Sequence, residues 1–156
     1  MKKIEAIIAQ FLQYGCLLAT ICLIGTVMLQ IFARFMLAQA PAWTEEASRL
    51  FFIYAISFAA GLALKEEYYV HWDLLYKKLS PGGQKLMDLL IPSLVLLLFV
   101  LMAIFSLSFI QMGLAESSPG MGMSMAAAFG SMFVLSVGLS LYAGRSIQQA
   151  IQNKPS

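Results

Sequence analysis

The chain has 156 residues, of which 60% are hydrophobic and only 12% are charged, and its mean hydropathy is +0.80. A soluble domain is about 45–50% apolar and about 25% charged, so a water-soluble core of this size would not bury so much apolar side chain. The composition therefore predicts a membrane protein, for which lipid is part of the solvent. The formal net charge of +2 is too small to indicate nucleic-acid binding.

The N-terminus is basic and then apolar, as in a secretory signal peptide. Its apolar run, however, continues without a charge from Ala6 to Ala33, whereas a signal core has about 7–15 residues. We therefore expect an uncleaved first transmembrane helix.

Four stretches qualify as transmembrane helices, since about 20 mostly apolar residues cross roughly 30 Å of hydrocarbon. They cover approximately residues 6–34, 44–64, 89–115 and 121–144. The sequence thus predicts an all-α membrane protein, with residues 1–156 forming a single four-helix transmembrane domain.

The basic residues predict the orientation of these helices. Eight of the ten Lys and Arg residues fall on one side of a four-span arrangement, and only Arg34 and Arg49 fall on the other. Because cytoplasmic loops carry the excess of Lys and Arg, both termini are expected in the cytoplasm.

The connector between the second and third spans contains aromatic residues at helical spacing. This pattern predicts a short amphipathic helix at about residues 68–79, lying in the membrane interface; an irregular loop rich in aromatics is the alternative. We expect Ser80–Gly83 to end this helix. Its interfacial positions are Tyr69, Trp72, Asp73 and Tyr76.

Several membrane enzymes and carriers are excluded because the residues they need are missing. No ionisable side chain lies in the central part of any span, where ion-coupled carriers and proton relays need one. A four-helix multidrug exporter would need a Glu in the first span, and a haem anchor would need two His ligands, whereas His71 is the only histidine. Cys16 and Cys22 both lie within the first span, unlike the paired outer cysteines of a thiol oxidase. We therefore expect no enzyme activity, no catalytic residue, no cofactor and no metal.

The second span opens with a cluster of charged residues that we expect on the outer side. Thr44 is predicted to be the N-cap, and Glu45 and Arg49 form an i, i+4 pair in the favourable order. Trp43 suits the aromatic belt of a membrane interface. The ordinary chemistry of a helix start explains part of this cluster. A single cap, however, needs only one acid, whereas this segment has Glu45, Glu46 and Arg49.

Small residues recur four apart at Gly122, Ala126 and Gly130 in the fourth span. Such spacing lets helix backbones approach closely, and this packing drives helix association in lipid. Some of these contacts must hold the four helices together. Small residues on more than one face of the span leave room for a partner protein.

Three segments resemble the small membrane subunit of the tripartite ATP-independent periplasmic (TRAP) transporters, the DctQ family. The first is Gln30–Phe35, with an arginine and an aromatic ending the first span. The second is Trp43–Arg49, a Trp-x-Glu-Glu-x-x-Arg block. The third is Tyr69–Leu75, where the family usually has His-Val-x-x-Asp-Leu-Leu. Each motif is weak alone, but their order and spacing together are fairly specific.

The resemblance implies an accessory subunit of the bacterial inner membrane that works with two partners. These partners are a large multi-span subunit, which moves an organic acid with a sodium gradient, and a periplasmic substrate-binding protein. The substrate would be a C4-dicarboxylate, a sialic acid or a similar carboxylate. The alternative from a different class is a self-contained homo-oligomeric channel or exporter. Candidate interface residues are Arg34, Trp43, Glu45, Glu46, Arg49, Gly122, Ala126 and Gly130.

Overall fold

The computed structural model of the chain describes residues 2–37, 41–65 and 80–152. Each of its four long helices contains a stretch that is long and apolar enough to cross a membrane, which confirms the prediction of an all-α chain with four such helices. The predicted interfacial helix, with Tyr69, Trp72, Asp73 and Tyr76, lies outside the described residues. The cytoplasmic position of both termini stays a prediction. The helices are α1 (Lys2–Met36), α2 (Ala42–Lys65), α3 (Pro81–Leu114) and α4 (Ala126–Gln152).

Helix α3 begins at Pro81, well before the predicted start at residue 89. Ser80 is its N-cap, and its hydroxyl oxygen accepts a hydrogen bond from the backbone N–H of Gly83 at 3.4 Å. Proline fits the first helical position because its missing N–H would have no partner there anyway. The Ser80–Gly83 segment therefore begins α3. Whether it also ends the predicted interfacial helix stays a prediction, because residues 66–79 lie outside the described part of the chain.

Helix α4 begins at Ala126, not at Met121 as predicted, and continues to Gln152. Gly122 has a φ of 65°, a left-handed conformation that a right-handed helix does not contain. The stretch from Met121 to Met125 therefore belongs to the loop that precedes α4. The predicted stripe of small residues is not one continuous helical face.

Helices adjacent in sequence pack as antiparallel hairpins. In the first hairpin, Gly15 of α1 faces the ring of Phe58 in α2, and Leu12 contacts Gly61. The residue earlier in α1, Leu12, contacts the residue later in α2, Gly61, so the two helices are antiparallel. In the second hairpin, the end of α3 meets the start of α4.

The two hairpins join through α2 and α4, which run parallel. Tyr54 donates a hydrogen bond to the carbonyl of Ala127 at 2.7 Å, and Gly61 lies against Gly138 further along both helices. A Cβ added to Gly61 would lie 3.6 Å from the Cα of Gly138. Such close backbone approach is the contact that small residues allow in lipid. Among the described residues the helices thus form a row in the order α1, α2, α4, α3.

Two buried serine hydroxyls within the spans bond to the backbone of their own helices. Ser57 donates to the carbonyl of Ile53 at 2.7 Å, and Ser136 donates to that of Met132 at 2.7 Å. Both serines are buried. Lipid offers no hydrogen-bond partner, so this one-turn-back bonding makes a buried hydroxyl tolerable at membrane depth.

The junction of α3 and α4 depends on Gly113. A Cβ there would lie 2.6 Å from the backbone nitrogen of Ala126 and 2.6 Å from the ring of Phe129. No side chain fits at that distance unless the helix ends separate.

We predict that Gly113→Ala lowers the free energy of unfolding by about 1–3 kcal/mol, the usual cost of overpacking. Gly25→Ala and Gly144→Ala are matched controls, because a Cβ at either position meets nothing within 4 Å. Those changes should be neutral or stabilising, since glycine within a helix costs about 0.5–1 kcal/mol relative to alanine. Thermal unfolding of the purified variants in detergent measures the difference. Equal midpoints for all three variants would contradict this packing.

Candidate functional site at the loop end of the bundle

The loop between α3 and α4 folds back on itself. We call the end of the bundle formed by Leu37, Pro41 and residues 115–125 the loop end. Ser118 donates its N–H to the carbonyl of Met123 at 2.7 Å, and Gly122 donates to the carbonyl of Ser118 at 2.9 Å. Met125 donates to the carbonyl of Glu116 at 3.0 Å. The positive φ of Gly122 allows the tight turn that these bonds require.

Ser124 connects this loop to both neighbouring helices. Its hydroxyl donates to the carbonyl of Gly113 at 2.7 Å, near the end of α3. The same oxygen accepts from the N–H of Ala126 at 3.2 Å, at the start of α4. One side chain thus satisfies a backbone group at each of two helix ends, where intrahelical partners are lacking.

Glu46 of α2 anchors the loop from across the bundle. Its carboxylate accepts hydrogen bonds from the N–H of Gly120 at 2.9 Å, the N–H of Met121 at 2.8 Å and the hydroxyl of Ser118. Hydrogen bonds to a charged acceptor are stronger than those between neutral groups. We call this group of four residues the Glu46 junction.

Gly120 lets the loop come close to α2, and a side chain there would displace the Glu46 carboxylate from its hydrogen bonds. A Cβ there would lie 2.9 Å from the carboxyl carbon of Glu46 and 3.2 Å from the carbonyl carbon of Ala42. The loop backbone therefore rests directly on the first turns of α2.

Glu45 and Arg49 make a separate pair on the surface of α2. Their side chains are 67% and 72% exposed, and Arg49 Nη2 lies 3.2 Å from Glu45 Oε1. This confirms the predicted i, i+4 pair, although an exposed pair contributes only about 0–1 kcal/mol. The two neighbouring acids thus have different roles, since Glu46 fixes the loop and Glu45 faces outward.

The prediction that Thr44 caps α2 was wrong. The helix begins at Ala42, and Thr44 is buried within its first turn. The Thr44 hydroxyl donates to the carbonyl of Pro41 at 2.8 Å and caps no N–H there.

The other predicted interface residues do not form one cluster. Arg34 at the end of α1 and Gly122 in the loop are exposed, and Trp43 is 43% exposed. Gly130 faces the Tyr54 hydroxyl, since a Cβ there would lie 3.0 Å from that oxygen. Ala126 packs its backbone against Gly113. Both small residues of α4 therefore make contacts inside this subunit.

Sequence reasoning did not identify the loop partners of Glu46. Ser118, Pro119 and Gly120 form a recognisable turn sequence, so a turn there could have been predicted. Their pairing with Glu46 spans more than 70 residues of sequence, and no local pattern encodes it.

A cavity of about 220 Å³ lies beside the Glu46 junction. Its walls come from α2, from the loop and from the first turn of α4. The lining residues are Glu46, Arg49, Leu50, Ile53, Ser118, Pro119, Met121, Met123, Ser124, Met125, Ala127 and Ala128.

The fold and this end of the bundle define a multi-pass membrane protein of four helices with a preformed loop at one end. Residues 23–153 match the family of tripartite ATP-independent periplasmic transporters, DctQ component. The chain therefore belongs to the DctQ family, the small permease subunits of TRAP transporters. It is 25% identical over 122 residues to a Haemophilus influenzae protein designated a TRAP transporter small permease protein, covering 78% of this chain and 74% of that relative. The resemblance seen in the sequence motifs is thus confirmed.

The two acids give a matched test of the junction. Glu46→Gln should lower the free energy of unfolding by more than Glu45→Gln does, because an amide cannot accept from all three loop donors as a carboxylate does. Glu45→Gln should change it by less than about 0.5 kcal/mol, since its partner is exposed. Chemical unfolding in detergent, with hydrogen exchange at the amides of Gly120 and Met121, measures both effects. Unchanged amide protection in Glu46→Gln would contradict the anchoring role.

Proposed function

We propose that this DctQ-family subunit is an accessory scaffold of a sodium-coupled, binding-protein-dependent importer of an organic acid in the bacterial inner membrane. In this proposal it braces the large transport subunit and contributes to the extracytoplasmic face on which the binding protein docks. The substrate class comprises C4-dicarboxylates, sialic acids and similar carboxylates.

The observation that carries this proposal is the lack of charge at membrane depth. Residues 6–33 and 50–64 contain no Asp, Glu, Lys, Arg or His. In residues 89–144 the one such residue is Glu116, which lies in the loop between α3 and α4. Carrying an anion across roughly 30 Å of hydrocarbon needs polar or charged groups to replace its water. The buried hydroxyls of Ser57 and Ser136 are bonded to their own helices. These spans therefore favour a role in bracing the large transport subunit over a role in carrying the anion across the membrane.

Exposed apolar helix faces support a brace for a larger membrane protein. Among the described residues of α3, Ser106 and Gly113 are buried and most of the others are exposed. Helix α1 likewise exposes large side chains such as Phe11 and Leu18. Because the four helices form a row, both outer helices offer a long face to lipid or to another membrane protein.

The preformed loop supports the docking part of the proposal. From the positive-inside rule we expect the loop end on the extracytoplasmic side. A loop fixed by the Glu46 junction loses less conformational freedom on binding than a mobile one. Glu45, Arg49, Trp43 and Gly122 are exposed at this end and are our candidate contacts.

Sodium coupling and an organic-acid substrate rest on the family resemblance alone. They come from the motifs at Gln30–Phe35 and Trp43–Arg49, and they concern the large subunit, which would perform the transport.

Reconstitution tests whether the chain works alone. In liposomes under a sodium gradient, the isolated chain should import no organic acid, with or without its binding protein. Adding the large subunit should restore uptake, and the two membrane proteins should purify together. Sodium-driven uptake by the isolated chain would overturn the accessory role and favour a self-contained transporter.

Cysteine labelling tests the orientation on which the docking role depends. In a background lacking Cys16 and Cys22, a single cysteine at the exposed Ser117 should react with an impermeant maleimide added to intact cells. A cysteine at the exposed Ser80, at the opposite end of the bundle, should react only after the membrane is opened. The reverse pattern would place the loop end in the cytoplasm.

A further inference from the structure

The cavity beside the Glu46 junction has walls that are fixed at both ends. At the loop end, Glu46 holds the loop against α2. About two turns further along α2, the Tyr54 hydroxyl bonds to the carbonyl of Ala127 in the first turn of α4 at 2.7 Å. Between these two connections α2 contributes Glu46, Arg49, Leu50 and Ile53, spaced as one helical face.

The polarity of the lining changes along the cavity. Glu46, Arg49 and Ser118 lie at the loop end. Leu50, Ile53 and the alanines of α4 lie on the side of the membrane interior. The methionines of the loop add flexible apolar side chains that adapt to the shape of a ligand. A polar end at the surface and an apolar end toward the membrane centre match an amphiphile aligned with the lipid chains.

Two opposite charges at and beside the mouth match a zwitterion, since Arg49 lines the cavity and Glu45, just outside the lining, is its ion-pair partner. Arg49 carries several N–H donors, of which the described ion pair engages Nη2 with Glu45 Oε1. Both side chains are more than two-thirds exposed, so a ligand phosphate can reach the guanidinium and a ligand ammonium can reach the carboxylate. The Glu46 carboxylate is already bonded to three loop donors and is not needed for this contact.

The position of the mouth agrees with the headgroup layer. Trp43, in the first turn of α2, is 43% exposed, and tryptophan is enriched where the membrane meets water. Arg49 is less than two turns further along the same helix. The cavity therefore begins at headgroup level and leads inward.

We propose that this cavity binds a phospholipid with a zwitterionic headgroup that carries a primary ammonium. Arg49 holds the phosphate, Glu45 accepts from the ammonium, and the upper part of one acyl chain lies against Leu50 and Ile53. A volume of about 220 Å³ is below the roughly 300–1,000 Å³ of a drug-sized ligand site, so it accommodates part of one chain and leaves the rest in the bilayer. The proposal requires only that the chain spans a membrane, and it is independent of the transport function.

Native mass spectrometry of the full chain in detergent tests this site by titration with three lipids. Phosphatidylethanolamine should bind more tightly than phosphatidylcholine, whose quaternary ammonium donates no N–H, and more tightly than the anionic phosphatidylglycerol. Arg49→Gln should weaken phosphatidylethanolamine binding about tenfold, as expected for the loss of one charge-assisted contact. Lys85→Gln removes a positive charge from an exposed position at the other end of the bundle and should leave binding unchanged.

A cavity-filling variant tests the apolar end. Ala128→Leu should weaken binding of phosphatidylethanolamine, whereas Ala6→Leu, at an exposed position of α1, should not. If Ala128→Leu does not yield folded protein, the comparison of Arg49→Gln with Lys85→Gln still decides. Equal affinities for those two variants, or a preference for phosphatidylglycerol, would overturn the proposal. It would also be overturned if Ala128→Leu reduced recovery of a partner protein while lipid binding stayed the same, because the cavity would then receive a protein side chain.

Discussion

In lipid, no hydrophobic force distinguishes one helix neighbour from another, because lipid tails are as apolar as the helix surfaces. Helix association in this subunit must therefore come from close backbone contact and from a few hydrogen bonds between helices. The structure has both along one seam. Gly61 meets Gly138 where α2 and α4 cross, and Tyr54 bonds to Ala127 nearer the loop end. Without these contacts between α2 and α4, few interactions would hold the two hairpins together.

The parallel arrangement of α2 and α4 has an electrostatic cost that Glu46 offsets. Two parallel helices present the positive ends of their dipoles side by side, here at the loop end. The Glu46 carboxylate lies in the first turns of α2 and bonds to loop residues just before α4. A negative charge in this position favours both helix ends and also fixes the loop. The acid is thus part of the packing of the two helices as well as of the outer surface.

The sequence predicted the four long apolar helices of the described residues and the pair on the surface of α2, because both depend on local patterns. Long apolar runs set the four spans, and a spacing of four residues brings Glu45 to Arg49. The start of α3 was missed because Ser80–Gly83 has the composition of a turn, and serine before proline is also a helix start. Gly122 was assigned to a helical stripe because spacing alone does not report a left-handed φ. The contacts of Glu46 could not be predicted from local sequence patterns, since they join segments that are distant in the sequence.

The row of helices also has a consequence for how the protein is made. Each hairpin contains helices that are neighbours in sequence, so each can form as soon as its second helix has entered the membrane. The contacts between α2 and α4, and those of Glu46 with the loop, join the two hairpins and require all four helices. From these contacts we expect assembly in two stages, in which the two hairpins insert separately and dock after synthesis of the last helix. Until then the face of α2 that α4 will cover is open to lipid or to any helper protein in the membrane.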